Sequence, residues 1–131
     1  MRTELSPIMN NVERQLLDAL LAGEVAFLSD LRAQLSVATL VSRELSGCGF
    51  FLHFSVPDSA PRVGAGRSII GDVYFEMEAV AYGGGAILFV EEGHLSMLEA
   101  YLHGDDPWPD QPVLTKIYYE TDPRDFRDPR S

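Results

Sequence analysis

Residues 83–110 read GGGAILFVEEGHLSMLEAYLHGDDPWPD, and this stretch decides the fold. The glycine run frees the backbone, a short apolar strand follows it, and Glu92-Gly93 is typical of a tight turn between paired strands. By its leucine spacing, the returning segment 95–103 fits either a helix or a strand. A strand is favoured because it follows directly on a turn and lacks helix-capping residues. The sequence therefore predicts a hairpin at the centre of a sheet, followed by an exposed acidic loop.

Two helices are predicted before this sheet. Ser6-Pro7 is a typical helix start, apolar residues then recur every three or four positions up to Gly23, and a second such stripe runs through residues 25–35. Period-two alternation predicts further strands at residues 37–42, 49–56, 69–82, 87–90 and 113–119, although the second helix could continue through the first of these. The predicted fold class is α+β, with two N-terminal helices packed on one face of a mainly antiparallel sheet of about five to six strands.

The chain of 131 residues has the size of one ordinary domain. We predict a single α+β domain over residues 1–121 and a flexible tail over residues 122–131. The tail repeats Asp-x-Arg from Asp122, Asp125 and Asp128, and it carries too few apolar side chains to order itself. No secretory signal is recognisable at the N-terminus, and the single Cys48 cannot form an internal disulfide, so we expect a soluble cytoplasmic protein.

Charge is distributed unevenly along the chain. The net charge is −10, and residues 72–122 account for all of it, with eleven acids against Lys116 alone. Such a field repels phosphate backbones, which excludes nucleic acid as the expected partner, and no segment predicts a membrane anchor. It would attract a basic protein and speed the encounter with it. Solubility alone is the simpler explanation of the same charge.

The candidate binding residues combine acids and aromatic side chains of this C-terminal half, because tyrosine and tryptophan often anchor protein interfaces. They are Glu76, Glu78, Tyr101, Asp105, Asp106 and Trp108. Trp108 stands between two prolines and could equally be a plug of the core. By strand geometry Glu76 and Glu78 would lie on one face, about 7 Å apart, a separation also used by acid/base pairs in sugar hydrolysis. Solvated strand carboxylates are the simpler interpretation.

No catalytic residues, metal site or cofactor are predicted. If a metal binds anywhere, the acids and the histidine around the exit loop offer mixed oxygen and nitrogen ligands. These residues are Glu99, His103, Asp105, Asp106 and Asp110. Their spacing does not match a calcium-binding EF-hand loop, so a solvated acidic loop is favoured over a metal site.

The segments GFFLHFSVP, GDV at residues 71–73, GGGAILFV and LEAYLHG before a Trp-Pro loop resemble a family of small uncharacterised bacterial proteins. The resemblance covers roughly residues 31–108 and implies no activity. Small acidic domains of this kind are also similar, by class only, to immunity proteins that neutralise basic toxin nucleases.

Three functions remain open at this point. The first is a non-enzymatic, immunity-like module that binds a basic protein through an acidic aromatic face. The second is a small enzyme or ligand-binding domain with a pocket between helices and sheet that uses Glu76, Glu78 or His103. The third is a homodimer that forms through an exposed sheet edge.

Overall fold

A computed structural model describes residues 2–126. Seven strands form one antiparallel sheet in the order β1-β2-β3-β6-β5-β4-β7. In chain order the elements are β1 (Arg2–Leu5), α1 (Asn11–Leu20), α2 (Ala26–Val37), β2 (Thr39–Leu45), β3 (Gly49–Ser55), β4 (Ser68–Met77), β5 (Gly84–Glu91), β6 (His94–Leu102) and β7 (Leu114–Tyr119).

The predicted arrangement of two N-terminal helices on a sheet of five to six strands is wrong in two respects. A strand, β1, precedes both helices, and the sheet has seven strands. β1 has only four residues and no apolar alternation, so it carries no sequence signal of a strand. It is held instead by pairing with β2, where Glu4 lies opposite Arg43. The α+β class and the antiparallel pairing agree with the prediction.

The first helix starts later than the sequence suggests. Asn10 caps α1 by accepting a hydrogen bond from the backbone N–H of Glu13, whose carboxylate accepts one from the backbone N–H of Asn10 in return. This reciprocal pair is a capping box, and it satisfies two backbone donors that a helix start leaves free. Ser6, the predicted start, has instead a φ of 49° and donates its backbone N–H to the carbonyl of Val41.

The predicted central hairpin is confirmed. β5 and β6 occupy interior positions of the sheet and are joined by a turn in which Glu92 and Gly93 both have positive φ. The ambiguous segment after this turn is the strand β6, as favoured. Helix α1 contacts β4, β5 and β7, while α2 contacts β6. Buried side chains of both helices and of the facing strand positions form one hydrophobic cluster.

The strands β3 and β6 approach each other very closely at Gly49. A Cβ atom at this position would lie 1.9 Å from the carbonyl oxygen of Ala100, which belongs to the backbone of β6. Glycine is therefore required here for steric reasons, because any side chain would force the two strands apart.

The tail was predicted to be flexible from residue 122. Within its described part, Arg124 and Phe126 lie against the fold: Arg124 pairs with Asp72, and the ring of Phe126 packs edge-on against Phe27. Residues 127–131 lie outside the described residues. No helix within residues 2–126 is both long and apolar enough to cross a membrane.

Candidate functional site

One face of the sheet is not covered by either helix. Along each central strand the buried positions face the helices, so the alternate positions lie on the opposite side, which we call the open face. It carries half-buried apolar residues together with tyrosines and charged groups. The members are Phe51, His53, Ile69, Tyr74, Glu76, Ile87, Phe89, Met97, Glu99, Tyr101, Lys116 and Tyr118, and His103 and Glu120 continue the face just beyond β6 and β7. Among residues 2–126 no helix packs on this side.

Four aromatic side chains of the open face form a cluster near the end of β6 and beside the edge strand β7, which we call the aromatic cluster: Tyr74, Tyr101, His103 and Tyr118. The rings of Tyr74 and Tyr118 stack with centroids 5.9 Å apart. His103 lies against both Tyr101 and Tyr74, at 5.6 and 6.1 Å between ring centroids. Tyr74, Tyr101 and Tyr118 lie on β4, β6 and β7, and His103 follows β6 directly. The cluster therefore exists only in the folded sheet.

The absence of a side chain at Gly85 makes room for this cluster. A Cβ atom on Gly85 would lie 2.4 Å from the hydroxyl oxygen of Tyr101, so the tyrosine ring lies flat across the glycine. Gly85 is paired with Tyr101 on one side and with Tyr74 on the other. Gly84 and Gly85 of the glycine run thus belong to β5, and Gly85 lets two tyrosines on flanking strands approach each other.

Negative charge surrounds the cluster. Burial raises the pKa of the Tyr101 phenol above its ordinary value, and charge repulsion from the Tyr74 phenolate, where that group is ionised, and from the Glu99 and Glu120 carboxylates raises this pKa further. Lys116 is the cation beside the cluster, with its Nζ atom 5.2 Å from the ring centre of Tyr118. At Tyr101 the acids therefore outweigh this one cation, and the environment favours an incoming positive charge.

Titration of the tyrosines tests this environment. We expect one phenol to ionise above the ordinary value of about 10, and Tyr101→Phe to remove that step from the absorbance titration at 295 nm. Because the folded-state pKa is raised, the neutral phenol contributes stability that is present below the unfolded pKa and is lost as the pH rises through the folded pKa. Glu99→Gln should lower this pKa, whereas Glu24→Gln, between the helices, should not. A Tyr101 phenol that titrates at or below its ordinary value would contradict the assignment.

The structure brings only some of the predicted binding residues together. Glu76 and Tyr101 lie on the open face, with Glu76 paired opposite Lys116. Glu78 does not share a strand with Glu76, because β4 ends at Met77 and the chain turns there, so the separation of about 7 Å estimated from strand geometry does not apply. The backbone N–H of Glu78 donates to the carbonyl of Val113.

The remaining predicted residues lie on the exit loop after β6. Asp105 is exposed, while the carboxylate of Asp106 accepts a hydrogen bond of 2.8 Å from the backbone N–H of Ala81. Trp108 lies on the helix side of the sheet, where its ring packs edge-on against Phe50 and Phe75 at 5.4 and 6.1 Å. Trp108 is thus a partly buried plug beside the core, apart from Glu76 and Tyr101.

The described residues support neither the hypothesis of a metal site at the exit loop nor that of a pocket using Glu76, Glu78 or His103. Within residues 2–126, no group of three or more histidine, cysteine, aspartate or glutamate side chains is arranged to hold a metal ion. Four cavities of about 130 to 400 Å³ in this part of the chain are lined by residues other than Glu76, Glu78 and His103. The largest of these four lies beside Trp108, between β1 and the exit loop.

Sequence reasoning missed several residues of the open face. Tyr74 and Tyr118 were visible only as aromatic residues of the C-terminal half. Glu99 and His103 were named as possible metal ligands, and His103 also for a pocket, but not as members of the binding surface. The sequence signal that could have found some of them is spacing by two residues along a strand. Tyr74 precedes Glu76 by two residues in β4, and Glu99 precedes Tyr101 by two in β6, so the members of each pair lie on the same face of the sheet. The order of the strands was needed to bring these pairs together.

Comparison of the chain with protein-family models, with curated proteins and with solved structures found no match. The resemblance to a family of small uncharacterised bacterial proteins therefore stays a prediction.

Proposed function

We propose that this protein is a non-enzymatic binding module that holds a basic partner protein on the open face of its sheet. The observation that supports the proposal is the open face itself, a sheet surface with aromatic and aliphatic side chains, acidic groups among them and no helix over it. When helices cover only one face of an antiparallel sheet, the other face is normally polar. An apolar one is typical of an interaction surface.

The apolar part of this surface runs across four strands in one row. His53, Met97, Phe89 and Ile69 are successive neighbours in the pairing of β3, β6, β5 and β4. Ile69 is 57% exposed, and Met97 and Phe89 are half-buried. The guanidinium of Arg67 lies 5.3 Å from the ring centre of Phe89 and pairs with Glu91. A partner that covers this row would bury apolar surface at the centre of the contact, where binding energy concentrates.

The charged part defines the chemistry of the partner. Glu99 and Glu120 flank the aromatic cluster and act on the Tyr101 phenol, so their field extends over the tyrosine rings. Stacked tyrosines next to carboxylates are suited to an arginine or lysine side chain, since cation–π attraction and charge pairing then act together. The partner surface should therefore carry basic residues around an apolar centre.

The test compares two doubly neutralised variants of the immobilised protein. Glu99→Gln with Glu120→Gln removes two charges from the open face. Asp18→Asn with Glu24→Gln removes two from exposed positions on and after α1. We expect a basic protein captured from lysate of the source organism to bind the first variant about tenfold more weakly and the control variant unchanged. Affinity of the wild-type protein should also fall with rising salt.

Capture alone does not support the proposal. A partner that the open-face variant retains at full affinity, or that both variants lose equally, would contradict binding through this surface. Met97→Ser provides a second variant, because it removes apolar contact at the centre of the row without changing charge. It should weaken binding of the same partner without changing the salt dependence.

A further inference from the structure

Within residues 2–126, no strand pairs with the outer side of β7, the last strand of the sheet. The backbone N–H of Glu120 donates to the carbonyl of Asp72 at 2.9 Å, which makes this pair a hydrogen-bonded one. Hydrogen-bonded and non-hydrogen-bonded pairs alternate along antiparallel strands. The backbone N–H and C=O groups of Tyr118 therefore also point towards β4, whereas those of Ile117 and Tyr119 point outward, away from the sheet. Up to Phe126, the tail does not take up this edge, since Arg124 turns to Asp72 and to α1. Unpaired groups of this kind are a template for another strand.

We propose that β7 pairs antiparallel with β7 of a second copy of this chain, about a two-fold axis at Tyr118. In this register Ile117 lies opposite Tyr119 of the second copy, and each outward N–H and C=O group of the two residues meets a partner. The two sheets join into one continuous sheet. The inference does not depend on the binding of a basic protein.

Charge supports this register. With the axis at Tyr118, Lys116 lies opposite Glu120 of the second copy, and the symmetric pair forms on the other side of the axis. Lys116, Tyr118 and Glu120 are spaced two residues apart, so their side chains all lie on the open face. An axis at Ile117 would place Lys116 opposite Tyr118 instead, and an axis at Tyr119 would place Glu120 opposite Tyr118. Lys116 is the only lysine or arginine between residues 72 and 122, and its position within this edge strand makes the edge self-complementary.

The side chains at the axis are aromatic. Tyr118 is 40% exposed and would lie opposite Tyr118 of the second copy in a non-hydrogen-bonded pair, the closer of the two pair types. Since Tyr118 already stacks on Tyr74, the aromatic clusters of both copies would form one row of rings. On the helix side, the half-buried Ile117 would pack against Tyr119 of the second copy. The second copy thus completes the aromatic cluster.

A charge exchange tests the pairing. Molar mass from sedimentation equilibrium should show a monomer–dimer equilibrium. Lys116→Glu should raise the dissociation constant roughly tenfold or more, because two attractive pairs become repulsive. The double variant Lys116→Glu with Glu120→Lys restores opposite charges and should return to within about threefold of wild type. Arg2→Glu, on the opposite edge strand β1, should change the constant by no more than about twofold.

Three outcomes would overturn the proposal. The protein could be a monomer at every concentration, Lys116→Glu could leave the dissociation constant of the dimer unchanged, or the double variant could fail to restore a constant that Lys116→Glu had raised. The last outcome would assign the effect to Glu76, which lies opposite position 116 within the same chain. Loss of the dimer in Arg2→Glu would assign the interface to β1.

A disulfide tests the position of the axis. In a Cys48→Ser background, which removes the exposed free cysteine, Tyr118→Cys should form a covalent dimer on mild oxidation, because the two-fold brings this residue against itself. Lys116→Cys, two residues away on the same face, should form it at least about tenfold more slowly, since its counterpart lies beyond disulfide reach. Equal rates for both variants would overturn the register.

Discussion

Replacing Arg43 by methionine is expected to lower the free energy of unfolding by about 3–5 kcal/mol, the largest single effect in this fold. Arg43 and Glu13 are both buried, and the guanidinium donates to both carboxylate oxygens of Glu13, to Glu4 and to the carbonyl of Ile8. Hydrogen bonding to Glu13 is the main cause of the raised pKa of Arg43. Without this partner the Glu13 carboxylate would stay buried and unpaired. Urea denaturation followed by circular dichroism measures the loss.

Two further variants separate the charge from the packing of Arg43. Arg14→Met removes the same charge from an exposed position of α1 and should cost no more than about 0.5 kcal/mol. Arg43→Met with Glu13→Gln leaves no charge buried, so it should regain part of the stability lost in Arg43→Met. A double variant that is less stable than Arg43→Met alone would show that lost packing dominates.

The second large effect is expected at Arg124, where Arg124→Met should cost about 2–4 kcal/mol. Its guanidinium forms a bidentate pair with Asp72 at 2.7 and 2.8 Å, and the two side chains are only 10% and 15% exposed. It also donates to the carbonyls of Ala19 and Leu20, the last two residues of α1, and to that of Ala22 just after the helix. The rings of Tyr119 and Phe126 lie 4.2 Å from it.

Hydrogen exchange locates this effect. Arg124→Met should speed amide exchange in the last turn of α1 more than at its start, because the last carbonyls lose their cationic cap. Asp125→Asn, the exposed neighbour in the chain, should leave both stability and exchange close to wild type. A loss below 1 kcal/mol in Arg124→Met, with unchanged exchange in α1, would show that the tail contributes little to the fold.

Local patterns predicted the strands well and the packing between distant segments poorly. Alternation identified the buried face of β4, where Val73, Phe75 and Met77 are all in the core. It could not identify β1, because that strand depends on the Glu4–Arg43 pair across nearly forty residues of chain. The start of α1 was misplaced for a different reason: Asn10 and Glu13 have the spacing of a capping box, but Ser6-Pro7 gave a competing signal.

The candidate site shows the same limit. Of the binding residues that the sequence suggested, Glu76 and Tyr101 lie on the open face, whereas Trp108, grouped with them, lies beside Phe50 and Phe75. The sequence around Trp108, a tryptophan between two prolines, does not indicate whether its side chain lies on the helix-covered face or on the open face of the sheet. The cluster around Tyr101 depends on Gly85, and no local rule distinguishes a glycine that serves a turn from one that accommodates a ring on the next strand.

The pairing of β3 with β6 has a consequence for the folding rate. All of residues 56–93 lie between these neighbouring strands, whereas β2–β3, β4–β5 and β5–β6 join strands that are adjacent in sequence. Closing so long a loop is entropically costly before its contacts form, so high contact order slows folding. We expect the β2–β3 hairpin and the β4–β5–β6 meander to form early and the junction at Gly49 to close late. The speed of folding would then be set by the encounter of two preformed halves of the sheet.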